Sequence, residues 1–247
     1  MDLSLIIPAF NEAQRIGPTL RRAHRFLAAR PARFEILVVD DGSTDDTVAL
    51  VTALAGELPG VRVLCSPANR GKGHAVRLGM RAATGQVRLF SDADGSTPID
   101  ELDPLLRALA EGADVAIGSR YLAASRVTRP QPWFRRAWSR LANRVVQRVL
   151  LPGVADTHCG FKAFTAAAAE RIFVACTVDG WSFDLEVLAR ARALGFCIRE
   201  VPVRWENDER SKARLRQLPR EFRHVYRLRQ QLRQAEKLAG NQGRGVA

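Results

Sequence analysis

Short apolar runs alternate with amphipathic segments through the first half of the chain, and this alternation constrains the fold more than any other feature. Helical patterns near 13–29, 45–57, 73–83 and 98–111 separate the runs. The strand-like runs lie at 3–8, 34–40, 61–65, 87–91 and 113–118. Strands that alternate with helices form a parallel sheet covered by helices. The sequence therefore predicts an α/β fold with a mostly parallel central sheet.

The rest of the chain continues with helices expected near 166–175 and 183–194 and a last strand at 197–203. No internal repeat or low-complexity linker interrupts the 247 residues, and 47% hydrophobic residues suffice for a sizeable core. We therefore expect one domain over 1–209, followed by a basic helical extension over 210–247 with a frayed end.

Two carboxylates, one residue apart, follow the apolar run at 87–91. Side chains i and i+2 of an extended chain point the same way, so Asp92 and Asp94 can flank one cation. Hard divalent ions prefer carboxylate oxygens and complete their shell with water or phosphate oxygens. A second acidic strand end, Asp40 and Asp41, strengthens this interpretation, although Asp41 before Gly42 also suits a turn. The pattern predicts Mg²⁺ or Mn²⁺ at Asp92 and Asp94.

Other candidate residues lie at or just after the ends of neighbouring strands. Ligands of such sheets bind beyond the carboxyl ends of the strands, so these residues should line one cleft. They are Pro8, Ala9, Asn11, Glu12, Asp40 and Arg120. Gly71 and Gly73 begin like a dinucleotide-binding loop, but the third glycine is missing and no Walker loop occurs. Lys72 between them is a candidate for holding phosphate charge.

The formal net charge of +12 indicates a polyanionic partner: nucleic acid, an anionic membrane surface or a phosphorylated substrate. Arginines without intervening acids and an aromatic apolar stripe predict a basic amphipathic helix over 126–150. Such a helix suits a membrane interface, but its stripe could equally pack on the core with the arginines in solvent. The stretch 210–237 is also strongly basic.

The four cysteines are scattered and predict neither a zinc site nor a disulfide framework. The chain enters a strand at once, so we expect no signal peptide, and its longest apolar stretch, near 145–154, is too short and too interrupted to span a bilayer. These features predict a cytoplasmic protein that is peripheral to the inner face of the membrane.

Several motifs, in this order, resemble family 2 glycosyltransferases of the GT-A fold. They are IIPAFNE at 6–12, VVDDGSTD at 38–45, NRGKG at 69–73, SDAD at 91–94 and GSRY at 118–121. The resemblance is closer to dolichyl-phosphate β-glucosyltransferases, through DGST at 94–97, DTHCGFK at 156–162, WSFDLE at 181–186, and VPVRW at 201–205 through SK at 211–212. It covers about 3–215, and His158 stands where those enzymes usually carry glutamine.

The resemblance implies a metal-dependent, inverting enzyme that transfers a hexose, with UDP-glucose the favoured donor, to a polyprenyl phosphate. It implies catalytic roles for Asp94, Asp184 and Glu186, with Mg²⁺ or Mn²⁺ on Asp92 and Asp94. The nucleotide sugar would contact Pro8, Ala9, Asn11, Glu12, Asp40, Lys72, Asp92 and Arg120. The acceptor would contact Arg129, Arg135, Lys162, Ser211 and Lys212.

The acceptor decides which groups the chemistry needs. A hydroxyl must lose a proton as it attacks, so Asp184 or Glu186 would then be a general base. A phosphate, with a second pKa of about 6, is already an oxyanion and needs cations instead, leaving these acids to orient sugar hydroxyls. The alternatives are a soluble family 2 enzyme acting on a sugar, protein or small-molecule hydroxyl, and, more distantly, a nucleic-acid-binding module. No nucleic-acid-binding signature accompanies the basic charge, so we expect no nucleic acid partner.

Overall fold

The computed structural model describes residues 1–129, 144, 146–148, 150–206 and 230. Its centre is a seven-stranded sheet. In chain order the strands of the described residues are β1 (Leu3–Ala9), β2 (Phe34–Asp40), β3 (Val61–Cys65), β4 (Val87–Ser91), β5 (Val115–Ser119), β6 (Arg126–Arg129), β7 (Phe161–Thr165), β8 (Ile198–Pro202) and β9 (Arg204–Glu206). The central sheet has the order β3-β2-β1-β4-β7-β5-β8, and β6 pairs with β9 in a separate two-stranded sheet.

The sheet is parallel except at β7, which runs antiparallel between β4 and β5. The register of β1 and β2 pairs Leu3 with Phe34 and Ala9 with Asp40, so the two strands end at the same level. Both strands are almost wholly buried, as expected of a parallel sheet covered on both faces. The carboxyl ends of β2, β1 and β4 therefore lie side by side.

Helices cover both faces of the sheet. They are α1 (Ile16–Ala28), α2 (Thr47–Glu57), α3 (Lys72–Ala82), α4 (Leu102–Ala110), α5 (Ala166–Ala175) and α6 (Phe183–Ala193). Alternate residues of β1 feed two cores: Ile6 packs with α3, α5 and α6, whereas Leu5 and Ile7 pack with α1, α2 and α4. Burial of each such side chain stabilises the fold by about 1.5–3 kcal/mol.

The predicted α/β architecture is confirmed, and five strands were placed within one residue of both observed ends. The helix predicted over 126–150 is wrong at its start, where residues 126–129 form β6 against β9. The β-branched Val127 and Thr128 favour a strand, and Pro130 disfavours helical backbone at the residue before it.

The backbone is helical again at 144 and 146–148, where Val146 is buried in the core beside α5 while Arg148 is exposed. The rest of the predicted interfacial helix, and the basic extension apart from residue 230, lie outside the described residues. The domain boundary at 209 therefore stays a prediction. Within the described part, no helix combines the length and the apolar character needed to cross a bilayer.

Candidate active site

The cleft lies where β2, β1 and β4 end, and hydrogen bonds fix the loops that follow them. Asp40, at the end of β2, accepts hydrogen bonds from the amides of Gly42 and Ser43, both at 3.0 Å, through Oδ2. Gly42 has a φ of 74°, which favours glycine. Oδ1 of Asp40 is buried and has no hydrogen-bond donor among the described residues. A buried acceptor of this kind is suited to an N–H group of a ligand.

The loop after β1 is tied to the loop after β2. Asn11 has a φ of 54°, and its Oδ1 accepts a hydrogen bond from the Thr44 amide at 2.8 Å. Its own amide donates to Ser43 Oγ at 2.8 Å. The predicted nucleotide-binding residues Pro8, Ala9 and Asn11 therefore lie at the sheet edge beside Asp40, and the Asn11 side chain joins the two loops.

Glu12 is buried and faces Arg15 rather than open space. Its carboxylate accepts hydrogen bonds from Arg15 Nε at 2.6 Å and from Arg15 Nη2 at 2.5 Å. Nη1 of the same guanidinium lies 4.0 Å from Asp94 Oδ2. The carboxylate of Glu12 thus holds an arginine close to the acids that follow β4.

Asp92 and Asp94 lie in the cleft with side chains that are 33% and 20% exposed. Lys72, at the start of α3, places Nζ 2.5 Å from Asp92 Oδ1. A Cβ on Gly160 would lie 2.0 Å from Asp92 Oδ2, so only glycine leaves room for this carboxylate. Burial, and then the charge of Asp92, raises the pKa of Asp94 above its usual value. Burial lowers the pKa of Lys72, but Asp92 and Asp184 outweigh it and raise the pKa overall.

These two acids fit a hard divalent cation. Two neighbouring carboxylates, one of them with a raised pKa, form a site where added positive charge relieves repulsion. Among the described residues, no three His, Cys, Asp or Glu side chains form a cage that could hold a metal by themselves. Mg²⁺ is usually bound by one or two protein carboxylates, and water and phosphate oxygens complete its coordination shell.

Lys162 is fully buried. Its contact with the acceptor stays a prediction, and this burial argues against it. Its Nζ donates to Asp184 Oδ1 at 2.5 Å and to the Cys159 carbonyl at 2.6 Å. The Asp184 side chain is only 3% exposed. Sequence reasoning places lysines at the surface by residue type, whereas this ammonium is compensated by a buried carboxylate.

Glu186 also has no open face. Its catalytic role stays a prediction, and its burial argues against direct contact with a substrate. It is fully buried, and its carboxylate accepts hydrogen bonds from the amides of Thr177 at 2.9 Å and Val178 at 2.7 Å. Arg190, one turn later on α6, donates to Oε1 from Nη2 at 2.8 Å. Glu186 therefore fixes the segment before α6.

Arg120, after β5, is gripped by Asp156. Its backbone amide, Nε and Nη2 donate to the two carboxylate oxygens of Asp156 at 2.7–2.9 Å. Burial lowers the pKa of Arg120, but the charge of Asp156 outweighs it and keeps the guanidinium protonated. The guanidinium carbon lies 5.3 Å from the ring centre of Trp205 in β9. Asp156 was missed as a functional residue, although it opens the DTHCGFK motif.

The remaining predicted acceptor contacts are described only in part. The backbone of Arg129 pairs with Glu206 at the end of the small sheet. Arg135, Ser211 and Lys212 lie outside the described residues.

A mostly parallel sheet with paired carboxylates and a lysine at its carboxyl ends has the candidate site where open α/β sheets bind their ligands. The family model of glycosyl transferase family 2 matches residues 4–173, and the chain belongs to this family.

Similar proteins of known name support this family membership. The dolichyl-phosphate beta-glucosyltransferase of Drosophila melanogaster is 37% identical over 225 residues, which cover 86% of this chain and 69% of that protein. The protein of the same name from Homo sapiens is 34% identical over 224 residues, covering 85% and 69%. The predicted resemblance is therefore confirmed.

Solved structures show the same fold. Glucosyl-3-phosphoglycerate synthase from Mycobacterium tuberculosis in complex with UDP matches with a TM-score of 0.68 and 20% identity, over 94% of this chain and 79% of that one. The complex of that synthase with Mn²⁺, UDP-glucose and phosphoglyceric acid gives a TM-score of 0.69 and 20% identity, over 92% and 78%. The predicted GT-A fold is thus confirmed.

Proposed function

We propose that this chain transfers glucose from UDP-glucose to a polyprenyl phosphate and forms a β-linked lipid phosphosugar. The observation that carries the proposal is that neither candidate general base is available in the cleft. Asp184 is buried against Lys162, and Glu186 is saturated by two amides and Arg190. A hydroxyl acceptor needs such a base, but a phosphate oxyanion does not. The similarity to dolichyl-phosphate beta-glucosyltransferases supports the same acceptor class.

The uracil base is proposed to donate its ring N–H to Oδ1 of Asp40. That oxygen is buried and has no hydrogen-bond donor among the described residues. A base with an acceptor at this position, such as cytosine, would face the carboxylate lone pairs and be disfavoured. UDP is also bound in a solved structure of the synthase from Mycobacterium tuberculosis.

Asp92 and Asp94 are proposed to hold Mg²⁺ or Mn²⁺, which when bound neutralises charge on the leaving diphosphate. Lys72 and Arg120 contribute positive charge from the protein, since both side chains remain protonated. An acceptor phosphate oxygen attacks the anomeric carbon as the bond to the UDP oxygen breaks, and that bond pair stays on the diphosphate. In-line attack on an α-linked donor inverts the carbon and gives the β product.

The proposed acceptor is a lipid, so the proposal includes peripheral contact of the protein with the cytoplasmic face of an anionic membrane. The basic stretches 126–150 and 210–237 support it by their charge. Residues 126–129 form the strand β6 and not the start of a helix, so the helical part of this membrane contact would be shorter than the sequence predicts.

The direct test combines a panel of nucleotide sugars with a short-chain polyprenyl phosphate and Mg²⁺ or Mn²⁺, with products identified by mass. We expect one hexose to be added from UDP-glucose. Phosphoglyceric acid, bound in a structural neighbour, and simple sugars serve as control acceptors. Transfer to a control acceptor, with none to the lipid phosphate, would contradict the proposal.

A further inference from the structure

The segment 177–181 lies directly against the start of α3. The carbonyl of Asp179 accepts hydrogen bonds from the amides of Gly73 at 2.8 Å and His74 at 3.3 Å. A Cβ on Gly71 would lie 2.4 Å from that carbonyl oxygen, and one on Gly73 would lie 2.4 Å from the carbonyl oxygen of Val178. The glycines on either side of Lys72 therefore allow this close approach.

Side chains hold the same segment from two directions. The Asp179 carboxylate pairs with Arg70 at 3.0 Å and with Arg77 of α3. From below, the buried Glu186 accepts hydrogen bonds from the amides of Thr177 and Val178. The segment is thus clamped to both α3 and α6, and the residue that ends it, Trp181, is presented on a fixed backbone.

Trp181 is large, apolar and still 39% exposed. Its ring centre lies 5.2 Å from Lys72 Nζ, which is itself 2.5 Å from Asp92 Oδ1. Met1, Val127, Val174 and Leu194 are the other exposed large apolar residues of the described part, and none of them is aromatic. An aromatic face kept open on a clamped segment, next to charged residues of the cleft, is a ligand-contacting surface rather than a loose end.

We infer that Trp181 is the surface on which the hexose of the donor packs, and that Glu186 is the residue that positions it. The inference rests on the proposed donor. A hexose is bonded directly to the second phosphate, so it lies next to the groups at Asp92 and Lys72. Its ring carbons present an apolar C–H face that the negative face of an indole attracts. The lipid chain of the acceptor could contact the Trp181 ring instead, and the test below distinguishes these two ligands.

The test measures the affinities of UDP and UDP-glucose by titration calorimetry for wild type, Trp181→Ala and Trp181→Phe. Aromatic contacts contribute about 0.5–1.5 kcal/mol, which corresponds to a change in affinity of up to about tenfold. We expect Trp181→Ala to weaken UDP-glucose about tenfold and to leave UDP within about twofold. Trp181→Phe should recover most of the loss because it restores an aromatic face.

Three results would overturn the inference. Unchanged UDP-glucose affinity in Trp181→Ala, with the KM for polyprenyl phosphate raised, would assign the ring to the lipid. Equal weakening of UDP and UDP-glucose would place the ring at the nucleotide. A wild-type chain that binds neither compound would overturn the proposed function as well, which distinguishes the two failures.

The positioning role of Glu186 is tested by Glu186→Gln alone and combined with Trp181→Ala. If Glu186 acts through Trp181, Glu186→Gln weakens UDP-glucose but not UDP, and adds less than about twofold to Trp181→Ala. The positioning role would be rejected if the affinity losses of the two single variants multiply in the double variant. It would also be rejected if Glu186→Gln weakens UDP as much as UDP-glucose. Glu170→Gln breaks a carboxylate–arginine pair with Arg88 elsewhere and should change neither affinity. Thr177→Val, which removes a single 3.2 Å contact with Glu186, is the variant to use if Glu186→Gln does not fold.

Discussion

Replacing Asp184 by asparagine should destabilise the whole domain, apart from any effect on chemistry. Lys162 is fully buried, and its Nζ has Asp184 Oδ1 at 2.5 Å as its charged partner. Asparagine keeps the size of the side chain but removes the charge, so the ammonium retains only neutral acceptors such as the Cys159 carbonyl. Removing one partner of a buried ion pair costs about 3–5 kcal/mol.

For a domain of this size each kcal/mol corresponds to about 2–4 °C in Tm, so the midpoint should fall by roughly 6–20 °C. Thermal unfolding followed by circular dichroism measures it. Lys162→Met added to Asp184→Asn removes the uncompensated ammonium and should recover part of the loss.

The matched control is Glu111→Gln, which makes the same chemical change in an exposed ion pair. Glu111 and Arg199 have side chains that are 57% and 40% exposed, so the loss should stay below about 1 kcal/mol. A Tm for Asp184→Asn within about 2 °C of wild type would refute the assignment of Asp184 as the buried counter-charge of Lys162.

Asp94→Asn should abolish turnover without lowering the Tm, because it removes a proposed metal-binding charge at constant volume; full activity in excess EDTA would contradict this. At a temperature where they are folded, Asp184→Asn and Glu186→Gln should retain a slow reaction, with a low-pH limb near about pH 6 set by the acceptor phosphate. Loss of all turnover with normal donor binding would point to a hydroxyl acceptor. Burial raises the pKa of Glu35, but hydrogen bonds from Ser4 and Thr84 outweigh it and lower the pKa from 4.5 to about 2. The extra stability of wild type over Glu35→Gln should therefore be full above about pH 4.5 and disappear as the pH falls towards 2, and parallel pH curves of unfolding free energy would disprove it. Co-sedimentation with anionic liposomes should be strong at low salt and fall as salt rises; absence of binding at low salt would count against the membrane contact.

The parts of the fold that could be predicted were those that a local pattern of apolar and turn residues determines. The strands β2, β3 and β4 are apolar runs bounded by turn residues, and their ends were placed correctly. The central strand β7 was missed because Lys162 interrupts its apolar character, and its burial depends on a carboxylate 22 residues away. The strand β6 was assigned to a helix because its partner β9 lies far along the chain, where Arg126 pairs with Arg204.

In the candidate site, too, the features that follow from local sequence could be predicted, and those that depend on tertiary contacts could not. Asp92 and Asp94 could be proposed as a pair from the sequence because their spacing on an extended chain already implies a shared direction. Which acids are open and which are committed to buried partners depends on tertiary contacts. Glu186 has the same residue type as a catalytic acid, and only its contacts with Thr177, Val178 and Arg190 show that it holds the segment before α6.

The linkage and configuration of the product test the proposed transfer most directly. Product made from UDP-glucose and a short-chain polyprenyl phosphate is purified and examined by proton, carbon and phosphorus NMR. We expect an anomeric carbon that is coupled to phosphorus and carries the β configuration, as in-line attack by a phosphate oxygen requires. An α configuration, or a sugar joined to a hydroxyl carbon without coupling to phosphorus, would contradict it.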